Sequence, residues 1–409
     1  MTGVRTCRIL FVDDEQSILD GLANSLRRHR RTWDMVFANG GRDAIAQLQS
    51  GSFDLIVSDM RMPGMDGAEL MAWAKRHHPG AIRFVLSGQS ASDSAERVMP
   101  LVHQYLSKPC DTAQLVGILE RTWRFAGVIT DCRIRDAIGR LDALPTDRPT
   151  LDGVVDALTP LPGDTRVASQ RVAHSVALSA MALQLANSDY FGSGSPITSI
   201  AQAVQMIGAP RLSARVASMT VDDEQGTDAP GGLPADYFGR RAVVRATLAE
   251  RFCADPAMRD AAYSAALLLR VGRAVLVRAS HPRYVEAVRL KERERCRLFE
   301  AERQLFGVDN ASVGAHLLGM WGLPATIVGA VAAQDGCDER PDHRELAAIV
   351  HAADVFSHTG AEAAGCDESM LDRGRVERAG LADRIPEWQR ITAGALAGLG
   401  TDLSLEEAR

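Results

Sequence analysis

The chain has 409 residues, of which 46% are hydrophobic and 24% are charged, and its formal net charge is −6. This length exceeds that of one ordinary domain, so we expect two or three structural units, and the negative charge argues against general affinity for nucleic acid. The seven cysteines are scattered without a C-x-x-C pair, which argues against a disulfide framework and against a zinc site.

The sequence carries no recognisable targeting or membrane-spanning segment. The N-terminus reaches acidic residues after the apolar run Ile9–Val12, which is too short for a signal peptide. The most apolar helical stretch, 261–279, is interrupted by arginines and cannot span a bilayer. We therefore expect a cytoplasmic protein without membrane contacts.

The first 125 residues alternate between predicted strands and predicted helices. Strands are predicted at 8–12, 34–38, 55–59, 83–87 and 104–107, and each is followed by a helical pattern. Five such strand–helix units predict an α/β fold with a doubly wound parallel sheet. Ligands of open sheets of this kind bind at the carboxyl ends of the strands.

Side chains suited to chemistry follow these strands where the strands end. They are Asp13 and Asp14 after the first strand, Asp59 after the third, Ser87 after the fourth and Lys108 after the fifth. Carboxylates that meet at one edge repel each other, and Mg²⁺, which prefers oxygen ligands, would relieve that repulsion. With the cation bound, Asp59 is suited to attack a phosphoryl group, and Lys108 and Ser87 are suited to bind the phosphate.

A known family shows the same arrangement. With the Asp13-Asp14 pair, Asp59, the following MPGMDG turn at 62–67, Ser87-Gly88 and Lys108-Pro109, residues 7–125 resemble the receiver domain of a two-component response regulator. The resemblance implies a flavodoxin-like fold and transfer of a phosphoryl group from a histidine kinase to Asp59.

The same resemblance implies roles for further residues of this region. It places Mg²⁺ on Asp13, Asp14, Asp59 and the carbonyl oxygen of Arg61. It also implies that Ser87 and Tyr105 form the switch pair that reorganises after phosphorylation.

Helical spacing continues beyond this region. Apolar residues recur at near-heptad spacing from Leu115 to Leu141, which allows a long connecting helix or a dimer seam, and we favour packing between domains over a coiled coil. The stretch Leu144–Pro149 breaks the helix. We assign 1–125 to a receiver domain, 126–143 to a linker helix, 144–360 to a helical output domain and 361–409 to a helical tail, and a homodimer stays open.

From residue 150 onward helical patterns follow one another, and no strand pattern persists. Long helices are predicted at 166–186, 261–279 and 284–306, and two weak helices in the tail at 372–379 and 388–399. The second half of the chain is therefore expected to be all-α.

Two patches of this helical part carry a second resemblance. The first is LANSDYFG at 185–192 with ITSI at 197–200, and the second contains FGVD at 306–309 and WGLP at 321–324. With these patches, residues 144–360 resemble the HDOD domain, an output domain related to the HD metal-dependent phosphohydrolases.

The metal ligands of the HD hydrolases are degenerate in this sequence. Those enzymes need histidines, a His-Asp pair and a later aspartate, because a metal must generate hydroxide from water. The corresponding positions hold Arg241, Leu269, Arg270, Asn310, Gln334 and Asp354, of which only Asp354 matches. We expect no metal in the HDOD domain, no enzyme activity there, and an output that works by binding.

Alternatives from other classes stay open at this point. Arg240, Arg241, Arg245 and Arg270 could form a pocket for an anion or nucleotide, against which we favour ordinary helix faces with Arg270 paired to Asp354. A residual HD-type phosphohydrolase acting on cyclic-di-GMP is the enzymatic alternative, although the sequence has no GYP triplet. DNA binding is not expected, since only 211–215 resembles a basic helix, and the output protein partner is unknown.

Overall fold

The computed structural model describes residues 6–88, 98–158, 165–191, 195–219, 235–334, 341–358 and 370–398. Within these residues, strands that alternate with helices build a parallel sheet in the first part of the chain, and only helices follow the last strand. In the part of the chain that the structure describes, no helix is both long enough and apolar enough to cross a membrane.

The sheet has five parallel strands, as the sequence predicts. They are β1 Cys7–Asp13, β2 Trp33–Asn39, β3 Leu55–Asp59, β4 Ile82–Gly88 and β5 Gln104–Lys108, in the order β2-β1-β3-β4-β5. All five residues of β3 are buried, because helices cover both faces of the sheet. This order makes β5 an edge strand and brings the carboxyl ends of β1, β3 and β4 together.

Four described helices flank the sheet: α1 Gln16–Ser25, α2 Gly41–Ser50, α3 Gly67–His77 and α4 Thr112–Ala126. The helix predicted near 93–101 falls largely outside the described residues. Helix α3 begins with a capping box, in which the Asp66 carboxylate accepts from the Glu69 amide at 2.8 Å. The cap fixes the turn that leaves Asp59.

The chain between the two halves is not one continuous helix. Helix α4 ends at Ala126, and a separate helix, α5 Cys132–Gly139, begins after Asp131, whose side chain accepts from the Arg133 amide. A long connecting helix through 141 is therefore wrong. The reason is local, since Asp131 caps a new helix start instead of continuing the old one.

The second half is helical throughout the described residues. Its helices are α6 Arg148–Leu158, α7 Arg166–Ala173, α8 Val176–Ala186, α9 Ile200–Ile207, α10 Ala209–Ala217, α11 Ala235–Phe252, α12 Pro256–Leu267, α13 Val271–Ala279, α14 His281–Glu294, α15 Leu298–Phe306, α16 Asn310–Met320, α17 Ala325–Ala332 and α18 Arg344–Ser357. This all-α architecture agrees with the sequence expectation.

Three helices predicted as continuous are each divided in two. Ser175 accepts from the Leu178 amide and starts α8 within the predicted 166–186 helix. Arg295 has a left-handed backbone with φ of 52°, which separates α14 from α15. The predicted 261–279 helix breaks at 268–270, between α12 and α13.

The tail forms the two predicted helices, α19 Arg373–Arg378 and α20 Ile385–Gly398. Trp388 of α20 is fully buried, stacks on Phe252 with ring centroids 5.2 Å apart, and donates to the Phe252 carbonyl oxygen at 3.2 Å. The tail therefore packs into the same helical body as α11.

Candidate functional site

Two carboxylates and one lysine meet at the carboxyl edge of the sheet. The Lys108 ammonium lies 3.1 Å from Asp13 Oδ2 and also forms an ion pair with Asp59 Oδ1. Asp13 and Asp59 are 3% and 8% exposed. Lys108 thus connects the ends of β1, β3 and β5, as the strand-end argument predicts.

Backbone amides hold both carboxylates in place. Asp59 Oδ2 accepts from the Arg61 amide at 2.6 Å, and Asp13 Oδ1 accepts from the Glu15 amide at 3.0 Å. The turn after Asp59 requires glycine at position 67, because a Cβ there would collide with the Asp59 carbonyl oxygen. These contacts fix the orientation of the Asp59 carboxylate.

Ser87 places an unsatisfied hydroxyl beside this edge. Its side chain is 2% exposed, and its Oγ has no hydrogen-bond partner among the described residues. A buried hydroxyl without a partner is costly, so such a group is often reserved for a ligand or a second state. A phosphoryl oxygen on Asp59 would give this hydroxyl an acceptor.

Lys108 stays positively charged in this setting. Burial lowers the pKa of the ammonium, but the carboxylates of Asp59 and Asp13 outweigh burial and raise the pKa above its usual value. The lysine therefore supplies a full positive charge between the two carboxylates.

The carboxylates suit a hard cation, although Lys108 now bridges two of them. Among the described residues, no group of three or more His, Cys, Asp or Glu side chains is arranged to hold a metal ion. Asp14 is only partly buried beside Asp13. Oxygen donors of this kind are the ligands that Mg²⁺ takes in proteins.

Tyr105 lies at the contact between the sheet and the helical domain. It is 6% exposed, and the edge of its ring meets Tyr190 with centroids 6.1 Å apart. Next to it, the Ser107 amide donates to Asp189 Oδ2 at 3.2 Å. Sequence reasoning missed Asp189 and Tyr190 as contacts of β5, although both lie in the LANSDYFG patch.

Further bonds hold the two domains together. Gln104 Nε2 donates to the carbonyl oxygens of Gly319 and Met320, both at 3.1 Å, and α4 packs against α16. Lys75 Nζ lies 2.6 Å from Asp142 Oδ1, which joins α3 to the chain that follows α5. The β5–α4 side of the sheet is thus covered by the helical domain.

Two of the degenerate HD positions, Arg270 and Asp354, belong to a buried ion cluster. Asp354, 7% exposed, receives Arg245 Nη1 at 3.2 Å and Arg270 Nη2 at 2.5 Å. Burial raises the pKa of Asp354, but Arg270 and then Arg245 outweigh it and hold the pKa well below its usual value. Leu269 is fully buried in the core beside this cluster.

The remaining degenerate positions are engaged with neighbouring polar groups. Asn310 Nδ2 donates to Glu302 Oε2 at 2.8 Å, and the Gln334 carbonyl oxygen accepts from Arg375 Nη1 at 3.0 Å. Arg241 is half-buried and lies near His358. Burial is the main cause that lowers the pKa of His358, and Asp354 acts in the opposite direction. The structure thus brings Arg270 to Asp354, with Arg245 as a second partner that the sequence analysis did not pair with it, whereas Gln334 donates to Asn310 Oδ1 at 3.4 Å.

Two family models match separate parts of the chain. A response regulator receiver domain matches residues 9–120, and an HDOD domain matches residues 144–337. The chain is therefore a response regulator in which a receiver domain precedes an HDOD domain.

Curated relatives match over part of the chain. The transcriptional regulatory protein YesN of Bacillus subtilis is 33% identical over 115 residues, which are 28% of this chain and 31% of that protein. The response regulator receiver protein Anae109_2439 of Anaeromyxobacter is 37% identical over 89 residues, 22% of this chain and 37% of that protein. The chain spans about a third of the length of the curated relatives that it matches.

One solved structure matches more of the fold. A virulence factor from Campylobacter jejuni aligns with a TM-score of 0.52 and 19% identity, over 63% of this chain and 96% of that one. At this identity the match describes the fold alone.

Proposed function

We propose that this response regulator accepts a phosphoryl group on Asp59 from a histidine kinase and signals in the cytoplasm through an HDOD domain that binds without catalysing. One observation carries the proposal. Lys108 connects the buried carboxylates of Asp13 and Asp59 at the carboxyl edge of the sheet, beside the unsatisfied hydroxyl of Ser87. A nucleophile, a fixed positive charge and a spare donor are the groups that phosphoryl transfer requires.

In this reaction an Asp59 oxygen forms a bond to phosphorus while the donor's phosphorus–nitrogen bond breaks, and the donor nitrogen leaves with its electron pair. Asp59 Oδ2 is held by the Arg61 amide, so the approach of the nucleophile is fixed. Lys108 then pairs with a phosphoryl oxygen, and the Ser87 hydroxyl donates to another.

Mg²⁺ would be held by Asp13, Asp14, Asp59 and the carbonyl oxygen of Arg61. When bound, it neutralises the charge between the attacking carboxylate and the phosphoryl oxygens. The carboxylate oxygens present fit such a cation, and the carboxylates outnumber the single lysine among them.

The experiment is labelling with a small phosphodonor and Mg²⁺, followed by intact-mass analysis. The wild type gains one phosphoryl group, and Asp59→Asn gains none. Asp20→Asn, at a carboxylate of α1 exposed to solvent, is the matched control and labels normally. Equal labelling of the Asp59→Asn protein would refute the assignment.

The binding role of the HDOD domain rests on the ion cluster around Asp354. Two arginines form ion pairs with Asp354, the one carboxylate that matches a metal ligand of the HD hydrolases, and their positive charge would repel a cation. The output is then a complex with a partner protein, with a nucleotide as the other candidate ligand. Stoichiometric iron or manganese in the purified protein, together with turnover of cyclic-di-GMP that Asp354→Ala abolishes, would overturn this role.

A further inference from the structure

A cavity of about 530 Å³ lies between the receiver domain and the HDOD domain. One wall belongs to β5 and α4 of the receiver domain, and the other belongs to α8, α10 and the loop 321–324 of the HDOD domain. Ligand pockets in proteins typically enclose about 300–1,000 Å³ and often lie at domain interfaces. Gln114 and Ser195 are exposed at the wall, so a solute can reach the cavity from solvent. The cavity therefore has the size, position and access of a small-molecule site.

Arg215 of α10 brings a half-buried guanidinium to this wall. It donates to Ser218 Oγ at 3.3 Å and to the carbonyl oxygen of Asp142 at 3.4 Å, and no carboxylate in the part of the chain that the structure describes pairs with it. The Asp142 carboxylate is held instead by Lys75, whose Nζ lies 2.6 and 2.7 Å from its two oxygens. Burial lowers the pKa of Arg215, yet a guanidinium keeps its charge in proteins. Two long bonds to neutral acceptors leave this cation with donors for an anion.

The charged side chains of the wall carry an excess of two positive charges, with histidine counted as neutral. They are four arginines and two aspartates, Arg83, Arg121, Arg124, Arg215, Asp142 and Asp189. Arg121 of α4 is exposed and forms neither a hydrogen bond nor an ion pair with any described residue. A phosphate monoester carries a charge of about −1.5 to −2 near pH 7, and guanidinium groups bind phosphate through paired hydrogen bonds. The charge of the wall therefore matches one terminal phosphate better than it matches one carboxylate.

The rest of the wall suits a flat organic group with polar edges. Phe125 of α4 is a half-buried aromatic side chain of the wall, and the apolar side chains of Ile118 and Leu185 also line the cavity. The side-chain amides of Gln114 and Gln184 have no hydrogen-bond partner among the described residues, and each offers both a donor and an acceptor. Proteins bind nucleobases in this way, with the ring on an aromatic side chain and hydrogen bonds to the base edge.

We propose that this cavity binds a nucleoside monophosphate, with the phosphate on Arg215 and Arg121 and the base against Phe125 and Gln184. The cavity is lined neither by the carboxylates of the receiver edge nor by Asp354, so this ligand site is separate from both. The proposal goes beyond the function proposed above and does not rest on the phosphorylation of Asp59. Because both domains contribute to the wall, the bound nucleotide stabilises the chain with its two domains joined.

The test is isothermal calorimetry of the full chain, without Mg²⁺, against AMP, GMP, CMP and UMP. At least one of them binds with a Kd below about 1 mM. Its nucleoside and inorganic phosphate each bind at least about tenfold more weakly, because each lacks one of the two parts that the cavity recognises. Arg215→Ala and Arg121→Ala each raise the Kd about tenfold, since each removes a charge-assisted bond to the phosphate. Arg289→Ala, at an exposed arginine of α14, is the matched control and binds as wild type.

Arg121→Ala changes an exposed side chain without a partner among the described residues, so it decides the question even if Arg215→Ala does not fold. Failure of all four nucleotides to bind refutes the proposal, and so does inorganic phosphate that binds as tightly as the nucleotide. If Lys108→Ala abolishes binding and Arg121→Ala does not change it, the phosphate lies at the receiver edge and the cavity is not the site. A protein that takes up a phosphoryl group at Asp59 but binds no nucleotide refutes the cavity site alone. A protein that binds the nucleotide but takes up no phosphoryl group refutes the phosphoacceptor alone.

Discussion

The receiver site and the degenerate HD cluster each place aspartate beside cationic side chains, with opposite charge balance. At the receiver edge one lysine, Lys108, forms ion pairs with the two buried carboxylates of Asp13 and Asp59. In the HD cluster two arginines, Arg245 and Arg270, form ion pairs with the single carboxylate of Asp354. The first arrangement leaves negative charge that a cation can neutralise, and in the second the carboxylate is already paired with two positive charges. A similar set of residue types thus fits the proposed reactive site in one domain and a buried ion cluster in the other.

The strongest test of this difference is removal of the HD carboxylate. Asp354→Ala leaves Arg245, which is 5% exposed, without its counter-charge. Breaking a buried ion pair in this way typically costs about 3–5 kcal/mol of the free energy of unfolding. Denaturant titration measures the loss, and Asp260→Ala, at an exposed position of α12, is the control.

The receiver counterpart should respond differently. Asp59→Asn retains an acceptor for the Arg61 amide and leaves Lys108 its bond to Asp13, so stability changes by less than about 1 kcal/mol. Equal destabilisation by Asp59→Asn and Asp354→Ala would contradict the distinction between a reactive and a structural aspartate.

The pH dependence of the free energy of unfolding is a second test of the helical region. Burial first, and then Arg135, lowers the pKa of His316 to about 4. Between about pH 6.5 and 4 the unfolded chain therefore binds a proton that the folded protein does not, so the free energy of unfolding falls as pH falls. From pH 7 to pH 5 this histidine accounts for a loss of about 2 kcal/mol.

His316→Gln should remove that share of the pH dependence, whatever its effect on stability at pH 7. Unfolding titrations at pH 7 and pH 5 give the comparison, and His281→Gln, at an exposed histidine, is the control. A pH 7 to pH 5 difference identical in His316→Gln and wild type would show that His316 is not held neutral by the fold.

The two sites also differ in how far the sequence predicts them. Alternation of strands and helices sets the parallel sheet, and a parallel sheet brings the ends of its strands to one edge, so Asp13, Asp59 and Lys108 could be assembled from local pattern alone. The HD cluster depends on long-range packing. Arg245 reaches Asp354 across a sequence separation of 109 residues, and no local signal marks that pair.

Other features were unpredictable for the same physical reason. The helix break at 268–270 interrupts an apolar run whose periodicity continues on both sides, because tertiary packing overrides weak local preference. Asp189 lies in a recognised patch, yet its partner is a backbone amide, and backbone donors carry no signature in a sequence.

Mg²⁺ affinity should depend on the excess carboxylate at the receiver edge. Asp13→Asn removes one negative charge from a site that holds Lys108 between two carboxylates, so the Kd for Mg²⁺ should rise about tenfold, which is about 1.4 kcal/mol. Isothermal calorimetry with the wild type and the variant measures it. Asp20→Asn is again the control, and unchanged affinity in Asp13→Asn would exclude Asp13 as a ligand.

The smallest expected effect concerns Asp66, seven residues after the proposed phosphoacceptor Asp59. The Asp66 carboxylate caps a helix. Its Oδ1 accepts from the Glu69 amide at 2.8 Å, and the Glu69 side chain accepts from the Asp66 amide at 3.1 Å. Asp66→Ala removes this helix cap and should cost about 1 kcal/mol of the free energy of unfolding, whereas Asp66→Asn, which caps equally well, should cost a few tenths. Both variants should still take up one phosphoryl group, because neither alters Asp13, Asp59 or Lys108. Loss of labelling in Asp66→Asn would mean that this carboxylate takes part in the reaction, and the contrast between a reactive and a structural aspartate would then have to be redrawn within the receiver domain itself.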